Sequence, residues 1–200
     1  MTASRTIPMR RAAAACGLAA LALTGCAAPG RLYVNPEADM SFYNRIAVLP
    51  FDNLSNDRFA AARVTRALVT ELVISGRYEV VEPEEFRVAL SRIGGEANAQ
   101  GLYDMAKLKQ GAQSVQATGI LRGAVTEYQM MRVGSDHVPV VGFDVELIDV
   151  ATGNIVWRLS TMKKGRGRIP VVGGPNALTL SRVTQDACVD AVGQLEREAF

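Results

Sequence analysis

The chain has 200 residues and a net charge of +2, with 48% apolar and 21% charged residues; these proportions belong to a globular fold and exclude a disordered or collagen-like polymer. Basic and acidic residues nearly balance, so no overall positive field draws the chain to nucleic acid. Its three cysteines, Cys16, Cys26 and Cys188, are too few and too scattered for a disulfide framework or a metal cluster.

The first 25 residues read as a secretory signal. Arg5, Arg10 and Arg11 precede an uncharged stretch rich in Ala and Leu, which ends in small residues. That stretch, residues 12–25, is shorter than the ~20 apolar residues that a helix needs to cross a bilayer. Leu23, Thr24, Gly25 and Cys26 form a lipobox, in which cleavage precedes Cys26 and lipid is attached to its sulfur. Without the three arginines the remaining chain has a charge near −1. Ala27 follows the lipidated cysteine where an aspartate typically retains lipoproteins in the inner membrane, so the expected location is the outer membrane, facing the periplasm.

Residues 26–44 carry Pro29, Gly30 and Pro36 and no sustained period, and are read as a lipidated tether that docks through Leu32, Tyr33, Phe42 and Tyr43. A periplasmic domain follows over residues 45–200. Residues 46–51 are a continuous apolar run ended by Asp52, as in a strand buried on both faces. Asn56 or Asp57 is placed to cap a helix with Ala61, Val64, Leu68 and Leu72 on its inner face, and Gly76 to end it. Residues 78–81 form a second strand, Pro83 opens a second helix, and a third runs over residues 102–113.

Residues 117–133 read as one long strand. Phe143, Val145 and Leu147 then alternate with Asp144 and Glu146, the period of a strand with one buried and one wet face. A turn at Thr152-Gly153 leads to a strand with Ile155, Trp157 and Leu159 inward and Arg158 and Ser160 outward, so these three strands form an antiparallel meander. Lys163, Lys164, Arg166 and Arg168 make the one basic cluster. Asn176 is placed to cap a final helix with Val183, Ala187, Ala191 and Leu195 inside. The order predicts an α/β (α+β) domain with a mixed, largely antiparallel sheet packed by helices.

Catalytic signatures are missing. There is no phosphate-binding glycine loop, no dinucleotide motif and no nucleophile elbow. His137, the single histidine, stands beside Asp136 in an expected turn without further partners, and Cys188 fits a small buried hydrophobe. The chain is therefore read as a non-enzyme without cofactor or metal beyond the lipid on Cys26.

The run from Ile46 to Ser55, the helix around Leu68 and Leu72, the strand from Tyr78 to Glu82 and the turn Val150-Ala151-Thr152-Gly153-Asn154 resemble the curli-secretion lipoprotein family (CsgG-like). Similar modules occur in the N-terminal domain of the Tol-system propeller protein and in LpoB-like activators of peptidoglycan synthases. The resemblance implies a periplasmic core of that fold and, in ring-forming members, two long membrane hairpins per subunit. A membrane strand needs about 9–11 residues, and the two available places, residues 128–141 and 162–175, are short or rich in glycine. The leading expectation is an envelope adaptor or assembly factor with a protein partner, its contact surface at Asp144, Glu146, Arg158 and the basic cluster. A ring-forming secretion channel and a synthase activator are the alternatives, and homo-oligomerisation stays open.

Overall fold

A computed structural model describes residues 30–134, 136–165 and 179–200. Seven strands and four α-helices are formed among them. The strands are β1 (Arg31–Val34), β2 (Arg45–Val48), β3 (Asp52–Asn53), β4 (Glu79–Val81), β5 (Gly119–Val133), β6 (Asp136–Asp149) and β7 (Ile155–Lys164). The helices are α1 (Ala60–Ser75), α2 (Pro83–Ser91), α3 (Met105–Ser114) and α4 (Leu180–Ala199). They build one mixed sheet in the order β1-β7-β6-β5-β2-β4, with β3 paired to β5. The meander β5-β6-β7 is antiparallel as expected, and β1 extends it; β2, β3 and β4 join in parallel.

Strand alternation divides the core into two layers. Leu121, Val125, Phe143, Val145, Leu147, Trp157 and Leu159 pack against α1 and α4. On the opposite face Ala47, Leu49, Ile120 and Ile148 pack against α2 and α3. The second pair of helices covers only part of its face, because α2 and α3 sit over β2 and the near end of β5. The rest of that face, on β5, β6, β7 and β1, is the ground on which the candidate site stands.

Local chemistry explains most element ends. Gly76 closes α1 at φ 66°, and Gly153 turns the β6–β7 hairpin at φ 83°, both in the left-handed region that glycine enters without penalty. The buried Asp149 braces that hairpin by accepting from the Ala151 and Thr152 amides and the Thr152 hydroxyl. Asp104 caps α3 by accepting from the Ala106 and Lys107 amides, so the helix begins later than the apolar spacing from Leu102 suggests.

Three expectations need correction. The start of α1 has no side-chain cap; Asp57 accepts instead from the Phe59 amide, two residues on, which makes a turn rather than a helix cap. Thr179 caps α4, accepting from the Arg182 amide, whereas Asn176 lies outside the described residues. Within the stretch read as a tether, Arg31–Val34 is a strand, in register with Trp157–Ser160 of β7, and Asp39 caps a single 3-10 turn, Met40–Phe42. The lipobox, Cys26 included, and the rest of the signal also lie outside the described residues, which begin at residue 30.

Gly123 sits where β5 must lie close to both β6 and a ring. A methyl group there would press on the Phe51 ring at 2.7 Å and on the Asp144 backbone carbonyl, and only the ring can yield. Gly123→Ala is expected to destabilise the domain by about 1–3 kcal/mol, the usual range for overpacking. Urea unfolding followed by the fluorescence of Trp157, the single tryptophan, checks this as a lower midpoint at an unchanged slope.

Candidate functional site

The open part of the sheet carries two rows of side chains that run across the strands. In one row Arg122 of β5 faces Glu146 of β6, which faces Arg158 of β7, which faces Tyr33 of β1. In the next row Ala124, Asp144, Ser160 and Arg31 follow in the same order. Together with Tyr103 and Leu102 from the loop before α3, and with Pro50 and Asp52, these rows line a groove of about 810 Å³.

Glu146 is the fixed point of the groove. Arg122 Nε donates to its Oε1 at 2.5 Å, and Arg158 donates to its Oε2 through Nε at 2.8 Å and through Nη2. Only 7% of the residue is exposed. Burial opposes its ionisation, but the hydrogen bonds from Arg158 and Arg122 and their two positive charges outweigh burial and hold the carboxyl below its usual range. The Arg122 and Arg158 side chains are 39% and 52% exposed, so each keeps donors directed to solvent. One buried carboxylate thus orients two guanidinium groups on the floor of the groove, beside the half-buried Asp144 and the exposed Arg31 and Tyr33. Such an arrangement suits recognition of a polar or charged segment with carboxylates or carbonyls to offer.

The residues singled out in the sequence separate here. Asp144, Glu146 and Arg158 share the groove. That face is not simply wet, because Glu146 is buried by its two partners. Lys163 points to the other side of β7, where its Nζ lies 2.5 Å from Asp190 Oδ2 and donates to the Asp186 carbonyl, both on α4. Lys164 is exposed at the end of β7, and Arg166 and Arg168 lie outside the described residues. Among the described residues of the cluster, Lys163 is thus turned away from the groove. Arg122 was missed; its signal lay in the register, since a basic residue in a long strand falls opposite Glu146 once the hairpin is folded about Gly134.

Other candidate chemistry resolves plainly. His137 is the second residue of β6, opposite Arg132, and not part of a turn. Among the described residues no group of three or more His, Cys, Asp or Glu stands where it could hold a metal. Cys188 is fully buried, its Sγ 3.9 Å from the Val64 carbonyl, and burial, aided by Glu71, pushes its thiol up to about 12. A second groove, of about 910 Å³, lies between α1 and the start of α4, lined by Arg66, Thr70, Tyr128, Leu180 and Phe59. Phe59 is stacked by Arg58 and Arg63, whose guanidinium carbons are 4.3 Å and 5.7 Å from its ring centroid. Among the described residues no helix is long and apolar enough to cross a membrane.

Comparison with known proteins adds a family and a fold. A family model described as peptidoglycan-synthase activator LpoB matches residues 33–161. No curated protein sequence matches the chain. Among solved structures, the PelC dodecamer from Paraburkholderia phytofirmans is 23% identical, with 83% of this chain and 95% of that one aligned at a TM-score of 0.57. Lipoprotein GNA1162 from Neisseria meningitidis is 19% identical over 76% of this chain and 98% of that one, at 0.50. The hypothetical protein CT253 from Chlamydia trachomatis is 9% identical over 78% and 97%, at 0.51. At these identities the structures show the fold alone. The resemblance to the curli-secretion family finds no support here: the family model that matches is that of the activator group, and its match covers the residues that carry the resemblance.

Glu146→Gln is expected to lower stability by about 1–2 kcal/mol at pH 7, a charge-assisted contact discounted for the exposure of both arginines. Folding holds this carboxyl below its ordinary value of 4.5, so its contribution is complete above that pH and drains away as pH falls through the depressed value. Urea titrations of both proteins from neutral to acid pH should show the gap between them closing.

Proposed function

The chain belongs to the peptidoglycan-synthase activator LpoB family, and from that premise we propose that it is a non-enzymatic lipoprotein of the outer membrane that binds and stimulates a peptidoglycan synthase from the periplasmic side. The observation that carries this reading is the span of the family match, residues 33–161, which takes in part of β1, all of β5 and β6 and most of β7. In this reading Leu23, Thr24, Gly25 and Cys26 direct cleavage and acylation, and the acyl chains normally attached to such a cysteine hold the protein firmly, where a single chain would bind only marginally.

The groove around Glu146 is the contact surface in this reading. It presents Arg122 and Arg158 already oriented, so less side-chain entropy is lost when a partner binds. Asp144 is the residue to test, since it lines the groove beside the Glu146 cluster without being one of its three members. With the purified lipoprotein and the cell's own synthases, the rate of glycan polymerisation should rise several-fold. Asp144→Lys should weaken the apparent affinity about tenfold, equivalent to ~1.4 kcal/mol, with an unchanged urea midpoint. No stimulation of any synthase by the wild-type protein would remove the activator reading. Stimulation that ignores Asp144→Lys would move the contact elsewhere.

A second reading is favoured by one observation, that the structure aligned at a TM-score of 0.57 is a dodecamer. On it, many copies of this chain close into a ring beneath the membrane. Light scattering of the lipidated protein in mild detergent decides: a monomer or dimer is expected of the activator, and a particle of many subunits of the ring.

A further inference from the structure

The position of β1 decides which end of the sheet its N-terminal end faces. Arg31 pairs with Ser160, which pairs with Asp144, so these three residues stand at one level of the sheet. From that level the chain runs back toward Cys26, only five residues away, a reach of roughly 17 Å when fully extended. In the same direction β6 runs eight residues from Asp144 to Asp136, about 27 Å at ~3.4 Å per residue. β7 stops at Lys164, opposite Val140 and Gln129, so the β5–β6 hairpin projects beyond it by the pairs Met130–Pro139 to Val133–Asp136. Were the strands to stand along the membrane normal, the hairpin tip would reach about 10 Å beyond the farthest stand-off that a Cys26 anchor allows.

The tip has the surface for this. Met130 is 44% exposed and Val133 55%, and at the end of β7 Met162 is 56% exposed. The exposed Arg132, whose Nε donates to the Gly134 carbonyl at 3.1 Å, and the exposed Lys164 flank them; both are residue types whose long stem can lie along apolar surface while the charge stays in a polar layer. The projecting arms fall short of the 9–11 residues that a spanning strand needs, so the hairpin can enter the interface without crossing.

We propose that the β5–β6 hairpin tip, through Met130 and Val133, dips into the headgroup region of the phospholipid bilayer that holds the Cys26 acyl chains, so that the domain is gripped at two points. This inference rests on the lipid anchor proposed above and is independent of the synthase. The two contacts together restrict rotation of the domain about its anchor, which a single point of attachment cannot do.

The test uses the full lipidated protein in vesicles of phosphatidylethanolamine and phosphatidylglycerol. A nitroxide is attached at V133C, and in a second preparation at N154C, in the turn at the other end of the sheet. Cys188 is buried and does not compete for the label. Collision rates are read with oxygen, which concentrates in lipid, and with a water-soluble nickel chelate. The expected result is an oxygen-to-nickel ratio several-fold higher at V133C than at N154C. Equal ratios would overturn the proposal, as would a V133C label shielded from both reagents, which marks a protein contact instead. Mass spectrometry of the same preparation reads the premise: an unacylated Cys26 also overturns it. Synthase stimulation measured in detergent stands or falls separately.

Discussion

The pairing of β5 with β6 is the constraint on which the remaining structure depends. The ladder runs from Gly119–Asp149 to Val133–Asp136, with one irregularity between Val125 and Glu127. Because side chains alternate, this register alone decides that Leu121, Val125, Phe143 and Val145 meet α1 and α4 while Arg122 and Glu146 meet each other on the opposite face. A slip of one residue would drive the arginine and the glutamate into the apolar layer and expose the aromatic ring of Phe143. Both the core and the groove are therefore consequences of one hairpin.

The cluster at Glu146 reinforces that register. A lone carboxylate at 7% exposure would carry a large desolvation cost, and each arginine supplies charge and directed donors that offset it. Since Arg122 comes from β5 and Arg158 from β7, the carboxylate satisfies its own burial only when all three strands are aligned. The same contacts hold the guanidinium planes in place on the groove floor. Stability and presentation thus draw on one set of hydrogen bonds, which is why a surface able to bind something also behaves as part of the fold.

Most of this architecture was legible in the sequence, for physical reasons. The meander followed from period-two alternation at Phe143, Val145 and Leu147, and the helix ends from Gly76 and Pro83, where backbone constraints are strong. What escaped was set by pairing over long sequence distances. β1 looked like tether because four residues, Arg31–Val34, carry no period, and their strand exists only against the exposed edge of β7. Arg122 joined Glu146 across 24 residues of chain, and Lys163 turned away from the basic cluster because strand alternation aimed it at Asp190. The family assignment slipped for a related reason: strand-helix-strand modules with a Thr-Gly turn recur on related domains, and function resides in surfaces that such motifs do not encode.

β1 also joins the two ends of the functional argument. It forms one wall of the groove through Arg31 and Tyr33, and it lies five residues from Cys26. With Cys26 as the anchor, the wall nearest the membrane is held within roughly 17 Å of it by covalent geometry, whatever the conformation of the intervening residues. On the proposed reading, a long tether would let the domain search the periplasm for a partner, whereas five residues would keep the groove close to the leaflet that holds the acyl chains. Any protein recognised through Arg122, Arg158 and Asp144 has to bring its own contact segment to that height. On the proposed lipoprotein reading, the anchor at Cys26 sets the place of the encounter and the Glu146 cluster sets its chemistry.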